Sequence, residues 1–128
     1  MTPWIFATLA VAGGLGASTR FMVDGLIRSR LASVFPWATF TINTTGSFAL
    51  GFLTAAAAGS LVSPEWSAVL GAGFLGGYTT FSTASYETVR LLAERRYVAS
   101  FASAFGSLAV CVGAAALGYW LGSAALGR

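Results

Sequence analysis

This sequence of 128 residues is 56% apolar and only 9% charged, which leaves too few charged side chains to cover the surface of a soluble domain. The formal net charge is +3, and every basic residue is an arginine near the end of an apolar segment, which indicates membrane orientation rather than nucleic-acid binding. The composition therefore predicts an integral protein of the lipid bilayer. A single cysteine, Cys111, excludes an intrachain disulfide. No Lys or Arg precedes the apolar run at Trp4, so we expect no secretory signal peptide.

Four apolar segments predict an all-α fold of four transmembrane helices, because each is long enough to cross a bilayer. The expected spans are about 3–27, 35–62, 66–92 and 97–121, and they make residues 1–128 a single transmembrane domain. The loops between them are too short to hold a soluble domain.

Small residues mark faces where these helices are expected to pack closely. The first span contains the run AGGLGAST at residues 12–19. The fourth span carries three candidate packing positions, Gly106, Gly113 and Gly118.

The third span is a poor sequence for a continuous helix at its centre, where it reads GGYTTFST. Paired glycines lose much backbone entropy, and threonine hydroxyls compete for backbone hydrogen bonds. We therefore predict a helix break between about Gly76 and Ser82. In hydrocarbon such a break survives only in contact with protein or a wet cavity, which makes it a candidate ion or substrate site. The alternative is that the glycines only allow a neighbouring helix to approach.

Arginines are distributed unequally between the two ends of the predicted helices. With four spans, the loops one–two and three–four lie on one side of the membrane, and the termini lie on the other side with the middle loop. The first side has Arg28, Arg30, Arg90, Arg95 and Arg96, whereas the second has Arg128. The positive-inside rule then predicts a multi-pass protein of the plasma membrane or cell inner membrane, in one orientation, with both termini outside.

Two ionisable residues lie within or near the spans, where such groups usually face protein or water. Arg20 has a structural interpretation, in which it pairs with Asp24 or bonds backbone carbonyls near a helix end. Glu87 pairs with Arg90 at i+3 in one interpretation and lines a vestibule in the other.

Several polar side chains are expected along the spans without a fixed cation among them. Asn43 is an amide in mid-span that either donates to a ligand or joins two helices. Ser103, Ser107 and Cys111 recur at i, i+4 and i+8 on one helical stripe, and their polar groups either bond back to the same helix or offer weak donors. With Thr79, Thr80 and the positive edge of the Phe81 ring, this set suits a small, hard anion better than a metal ion.

Three motifs give this chain a resemblance to the Fluc/CrcB family of fluoride channels. They are GFLGGYTTFST-x-S-x-E in the third span, G-x-x-x-R in the first and N-x-x-G-x-F-x-x-G-F in the second. The resemblance covers the whole chain. It implies an antiparallel dimer that passes fluoride passively out of the cytoplasm, with two narrow pores beside a central structural sodium ion at the dimer interface.

The resemblance also implies roles for individual residues. The sodium ion would be held by the backbone carbonyls of Gly76 and Thr79. The anion pathway would include Asn43, Phe81, Thr80, Ser103 and Ser107, and the vestibule Arg20 and Glu87.

This sequence departs from the family pattern at two aromatic positions. The second phenylalanine of the family's pair is Ala84 here, and the tyrosine that often opens the polar track is Ser103. Both changes remove rings near the expected anion path. Together with the unequal arginine distribution, they favour a subunit that pairs with an inverted paralogue, although a homodimer remains possible.

Two other functions compete with a conducting fluoride channel. One is a non-conducting scaffold subunit that completes a partner's pore. The presence of Ala84 in place of the second phenylalanine is the reason for considering this alternative. A small multidrug-type exporter needs a carboxylate in the middle of the first helix, whereas Asp24 lies near one end. We expect no enzyme and no catalytic residues, because the chain has no histidine to activate a serine or threonine and Cys111 lies in an apolar segment.

Overall fold

The computed structural model describes residues 2–126, and over this range it contains helices and no strand. We number five helices in chain order: α1 (Pro3–Arg30), α2 (Trp37–Ala58), α3 (residues 64–78), α4 (Phe81–Ala93) and α5 (Tyr97–Ala125). The third predicted span is thus divided into α3 and α4. Arg128, the single basic residue expected on the second side of the membrane, lies outside the described residues.

The predicted break in the third span is confirmed at Thr79 and Thr80. Both residues have extended backbone angles, with ψ of 160° at Thr79 and 118° at Thr80, between helical neighbours on either side. Gly76 and Gly77 remain helical. The two threonines, rather than the paired glycines, therefore form the non-helical segment.

Glycines bring two pairs of helices into close backbone contact. A methyl group on Gly77 of α3 would lie 2.1 Å from the carbonyl oxygen of Gly13 in α1, and one on Gly118 of α5 would lie 2.2 Å from that of Phe48 in α2. Only glycine allows such approach, so α1 packs on α3 and α2 packs on α5. The close-packing interpretation of the third-span glycines is thus correct for Gly77.

Within the described chain, the predicted packing role is confirmed for Gly118 of the last span and is not supported by a contact at Gly106 or Gly113. A methyl group on Gly106 or Gly113 would meet no atom of the described residues within 4 Å, so a packing role of these two against a second subunit stays a prediction. The sequence did not show which of the three glycines contacts a neighbouring helix.

Two stretches adopt π-helical hydrogen bonding, Val69–Leu75 in α3 and Ala102–Gly106 in α5. The first is separated from the broken segment only by the helical residues Gly76–Tyr78. Such turns occur often at functional sites, since they displace the residues that follow around the helix axis.

The helix ends differ slightly from the predicted spans. The first helix continues to Arg30, where Arg28 and Arg30 in the last turn interact favourably with the helix dipole. Helices α2 and α4 end with Ser60 and Arg95 in the left-handed region, at φ of 61° and 59°. In each case the next residue donates back to the carbonyl five positions earlier, at 3.0 and 2.9 Å, which satisfies a terminal carbonyl.

The outer surface of the helices is apolar. Two helices, α1 and α5, are long and apolar enough to cross a membrane, and most residues of their apolar stretches are exposed. Helix α2 has 22 residues, which at about 1.5 Å per residue also suffices to cross the hydrocarbon. Surfaces of this kind are typical of contact with lipid or with another membrane subunit.

Candidate functional site

Asn43 binds the broken segment of the third span with both ends of its side-chain amide. Its Nδ2 donates to the Thr80 carbonyl oxygen at 2.8 Å, and its Oδ1 accepts from the Thr80 backbone N–H at 2.8 Å. The two residues are brought together from α2 and from the break between α3 and α4. An interrupted backbone within apolar surroundings needs such partners, because an unpaired N–H or C=O is costly there.

These contacts change the partners of two carbonyl groups at the break. In a continuous α-helix the Thr80 N–H would bond to the Gly76 carbonyl and the Thr83 N–H to the Thr79 carbonyl. Here Thr80 donates to Asn43, and Thr83 donates to Thr80 Oγ1 at 3.1 Å. The carbonyls of Gly76 and Thr79 therefore lose their usual helical donors, as an ion-binding carbonyl requires.

Among the described residues, backbone carbonyl oxygens are the ligands available to a metal ion, because no suitable group of side chains is present. Over residues 2–126 no group of three or more His, Cys, Asp or Glu side chains could hold a metal. Carbonyl oxygens suit hard cations. Gly76 is exposed and Thr79 half-buried, so both lie within reach of a surface that a second subunit could cover.

The Thr80 side chain serves the fold of its own segment. The residue is buried, its hydroxyl accepts from Thr83 N–H as the N-cap of α4, and it shares a contact of 3.3 Å with Ser82 Oγ. The Thr79 hydroxyl donates to the Leu75 carbonyl at 3.0 Å. Both hydroxyls are thus used to shape the break.

Phe81 points away from its own chain. The residue is 87% exposed, directly after the threonine that Asn43 holds. An apolar ring so exposed needs cover from lipid or another protein surface. A pathway along this ring would therefore lie between subunits and not inside one chain.

Hydroxyl groups connect α5 to α4 and α2. Buried Ser103 accepts a long contact of 3.5 Å from Thr88 Oγ1, and Ser100 Oγ donates to the Thr88 carbonyl at 2.8 Å. Cys111 Sγ lies 3.7 Å from Thr44 Oγ1. For Ser107, half-buried on the same stripe, the described residues provide no side-chain hydrogen bond. Sequence reasoning missed Thr88 and Ser100, whose only signal was a hydroxyl within an apolar segment.

A buried carboxylate is held by side chains from two other helices. Glu87 of α4 is 3% exposed; its Oε2 accepts from Arg28 Nη2 of α1 at 3.0 Å, and its Oε1 accepts from Thr39 Oγ1 of α2. Arg28 Nε also donates to Asp24 at 2.9 Å. We call Asp24, Arg28, Thr39 and Glu87 the carboxylate cluster.

The carboxylate cluster corrects both predicted ion pairs. Asp24 pairs with Arg28 and not with Arg20, because Arg28 lies one turn further along α1 and can reach Glu87 as well. Glu87 pairs with Arg28 and not with Arg90, which is exposed. Arg28 was overlooked because its position was assigned to a loop, whereas α1 continues through it.

Neither Arg90 nor Arg20 forms the ion pair that was predicted for it. Arg90 lies 3.7 Å from Glu94 on the exposed face of α4. Arg20 is half-buried, and among residues 2–126 no carboxylate lies within ion-pair distance of it. The structure does not bring Arg20 and Glu87 into one ion-paired group.

Two surface cavities lie at opposite ends of the helices. One of about 410 Å³ is lined by Ala32, Ser33, Val34, Arg90, Leu91, Glu94 and Arg96. The other, of about 650 Å³, is lined mainly by residues 57–72 and Leu50. Neither cavity is lined by a predicted pathway residue, in agreement with a pathway that one chain does not enclose.

Comparison with known proteins gives consistent matches over nearly the whole chain. A family model described as "CrcB-like protein, Camphor Resistance (CrcB)" matches residues 7–119. The chain is 53% identical over 126 residues to a protein of Leifsonia xyli subsp. xyli named fluoride-specific ion channel FluC 1, covering 98% of this chain and 92% of that protein. A FluC 1 of Streptomyces avermitilis is 43% identical over 117 residues, covering 91% and 94%. A FluC 3 of Bifidobacterium longum is 41% identical over 119 residues, covering 93% and 98%.

Proposed function

Because this chain belongs to the CrcB-like family, as the motifs predicted and the match over residues 7–119 confirms, we propose that it is a subunit of a fluoride-specific ion channel. The subunit would allow passive export of fluoride from the cytoplasm, as a channel without catalytic residues. The names of its relatives, which are up to 53% identical to it, support fluoride as the permeating ion.

The hydrogen bonding of Asn43 is the observation that carries this proposal. An amide nitrogen has two N–H donors, and Thr80 takes one of them. The second donor remains for an anion at the break, while the bonds to Thr80 fix its direction. Phe81 follows on the same segment, and the positive edge of its ring would provide a second, weaker contact.

Assembly with an inverted second subunit would complete the pathway. Phe81 is uncovered by its own chain, so a partner surface is needed to enclose the anion. We favour a paralogue of opposite orientation over a second copy, because of the unequal arginines. The numbered names of the relatives, FluC 1 and FluC 3, agree with organisms that have more than one such gene.

A structural sodium ion between the two breaks is a further part of the proposal. The carbonyls of Gly76 and Thr79, which have lost their helical donors, are the groups that would hold it. When bound, the ion would neutralise the converging carbonyl dipoles at the interface. The protein would be multi-pass in the plasma membrane or cell inner membrane, with its termini outside.

The second candidate function is that of a non-conducting scaffold subunit, and the residue that favours it is Ala84. Ala84 is half-buried one turn after Phe81, where the family pattern has a second phenylalanine. A pore lined by Ala84 would lack that ring edge. The chain would then complete only the pore that its partner lines.

Fluoride efflux from liposomes tests these proposals. The chain is reconstituted alone and with an oppositely biased paralogue, and external fluoride is recorded after a potassium ionophore is added, with chloride as the control anion. Fluoride-selective efflux in either preparation supports the channel, and absence of efflux in both contradicts it. In the paired preparation, Phe81→Ala would leave the flux unchanged if this chain were only a scaffold.

A further inference from the structure

We infer that Asn43 is also a positioning residue for the cation site, because its amide oxygen bonds to the N–H of the peptide group whose other end is the Thr79 carbonyl. This inference rests on the proposed function. It assigns to Asn43 a second role, in the orientation of backbone oxygens that the side chain itself does not touch.

The two hydrogen bonds of Asn43 fix two successive peptide groups. The Thr80 N–H belongs to the peptide that joins Thr79 to Thr80, and the Thr80 carbonyl belongs to the next one. Each bond is 2.8 Å long, within the range of well-formed hydrogen bonds. One side chain therefore determines the direction of both peptides at the break.

The first of these peptides carries its own carbonyl in the opposite direction. The described residues contain no cis peptide bond, so the Thr79 C=O points away from the Thr80 N–H of the same planar group. The N–H end faces Asn43, on the anion side of the break. The Thr79 oxygen consequently faces away from the anion side. Its partial negative charge would repel fluoride and attract a cation.

The same hydrogen bond removes the helical donor of the second carbonyl. Thr80 N–H would otherwise bond to Gly76, and its capture by Asn43 leaves that oxygen free for another partner. Without Asn43, the Thr80 N–H would regain the option of closing the helix on Gly76. The orientation of the Thr79 carbonyl and the availability of the Gly76 carbonyl thus depend on one amide, whereas the direction of the Gly76 carbonyl follows helix α3.

Sodium dependence of the thermal stability tests this inference separately from ion flux. The unfolding midpoint of the purified, assembled protein is measured against sodium concentration, with N-methylglucamine as the replacement cation. We expect Asn43→Ala to raise the sodium concentration for half-maximal stabilisation by about 10–100-fold, the usual effect of losing a group that orients metal ligands. The matched control is Ser47→Ala, one turn along α2, whose side chain has no hydrogen bond among the described residues.

Each outcome decides the inference. Equal sodium dependence in wild type, Asn43→Ala and Ser47→Ala overturns it. A wild type without sodium response overturns it as well, and leaves fluoride efflux as the separate test of the channel. If Asn43→Ala does not assemble, hydrogen exchange of wild-type residues 79–83 replaces it: sodium should slow this exchange, and an unchanged rate contradicts the inference.

Discussion

Glu87 is a carboxylate with almost no exposure, and each of its oxygens has a partner on a different helix. Thr39 and Arg28 together connect α1, α2 and α4 at the end of the molecule that carries most arginines. A buried charge without its partner is costly, whereas replacing both members of a buried pair by uncharged side chains is often tolerated. The Arg28–Glu87 pair thus contributes less to the free energy of unfolding than the loss expected when one of its two members is replaced.

At this residue scale, we expect Arg28→Gln to lower the thermal unfolding midpoint and the double variant Arg28→Gln/Glu87→Gln to recover part of the loss. The single change leaves Glu87 with Thr39 as its remaining partner, and the second change removes the charge. Arg90→Gln is the control, since its contact with Glu94 is 3.7 Å long and exposed, and such pairs contribute about 0–1 kcal/mol. A double variant less stable than Arg28→Gln would contradict this account.

The anion path gives a second prediction for a single residue. Asn43→Asp should abolish most fluoride efflux from liposomes, because a carboxylate repels the anion and offers no N–H donor. In the aspartate, a carboxylate oxygen would also replace the Nδ2 that donates to the Thr80 carbonyl, and the two oxygens would repel each other. Wild-type flux from folded Asn43→Asp protein, at a pH where the carboxylate is ionised, would remove Asn43 from the path. Thr54→Ala, on the exposed part of α2, serves as the control.

At the scale of helices, the positions of the helices and of the break were predictable from the sequence, because both depend on local composition. The GGYTTFST segment indicated a break, and the structure places it at Thr79 and Thr80. The partners of the polar groups were not predictable. Asn43 and Thr80 are far apart in the chain, and no periodicity states which helices become neighbours. The π-helical stretches also left no distinct pattern.

The glycine contacts lead to a prediction about α5. Gly118→Ala should destabilise the protein, because its methyl group would lie 2.2 Å from the Phe48 carbonyl oxygen and force α2 and α5 apart. Gly113→Ala is the matched control in the same helix, with no described atom within 4 Å of the added methyl group. It should be neutral or slightly stabilising, since alanine favours a helix over glycine by up to about 1 kcal/mol. Equal unfolding midpoints for the two variants would refute the close-contact assignment.

At the scale of the whole molecule, five of the six arginines in the described structure lie at one end, and the sixth, Arg20, lies within α1. Arg28, Arg90 and Arg96 all lie near that end, whereas at the other end α3 begins with the acidic residue Glu65 in its first turn. Short loops with an excess of arginine are retained in the cytoplasm. The molecule should therefore insert with one orientation.

Labelling in cells tests this orientation. A cysteine introduced at exposed Ala125, in a Cys111→Ser background, should react with an impermeant thiol reagent from outside in nearly all molecules. A cysteine introduced at Ser33, in the α1–α2 loop, should remain unlabelled until the cells are opened. Comparable labelling of Ala125 from inside and outside would mean dual topology, and the preference for an inverted paralogue would then be wrong.

The helix pairing described above also affects how the protein is made. Gly13 of α1 contacts Gly77 of α3, and α2 contacts α5, so neither of the first two helices has its main partner next to it in the chain. Gly13 and Gly77 are roughly 60 residues apart, and at synthesis rates of about 5–20 residues per second α1 must wait about 3–12 s for its partner. During that time the glycine face of α1 is covered by lipid, which the internally hydrogen-bonded helix tolerates. A nascent chain that is truncated after Ala93 and joined to a linker long enough to bring α3 and α4 out of the ribosome should therefore contain a docked α1–α3 pair, with α2 still accessible to crosslinking with lipid.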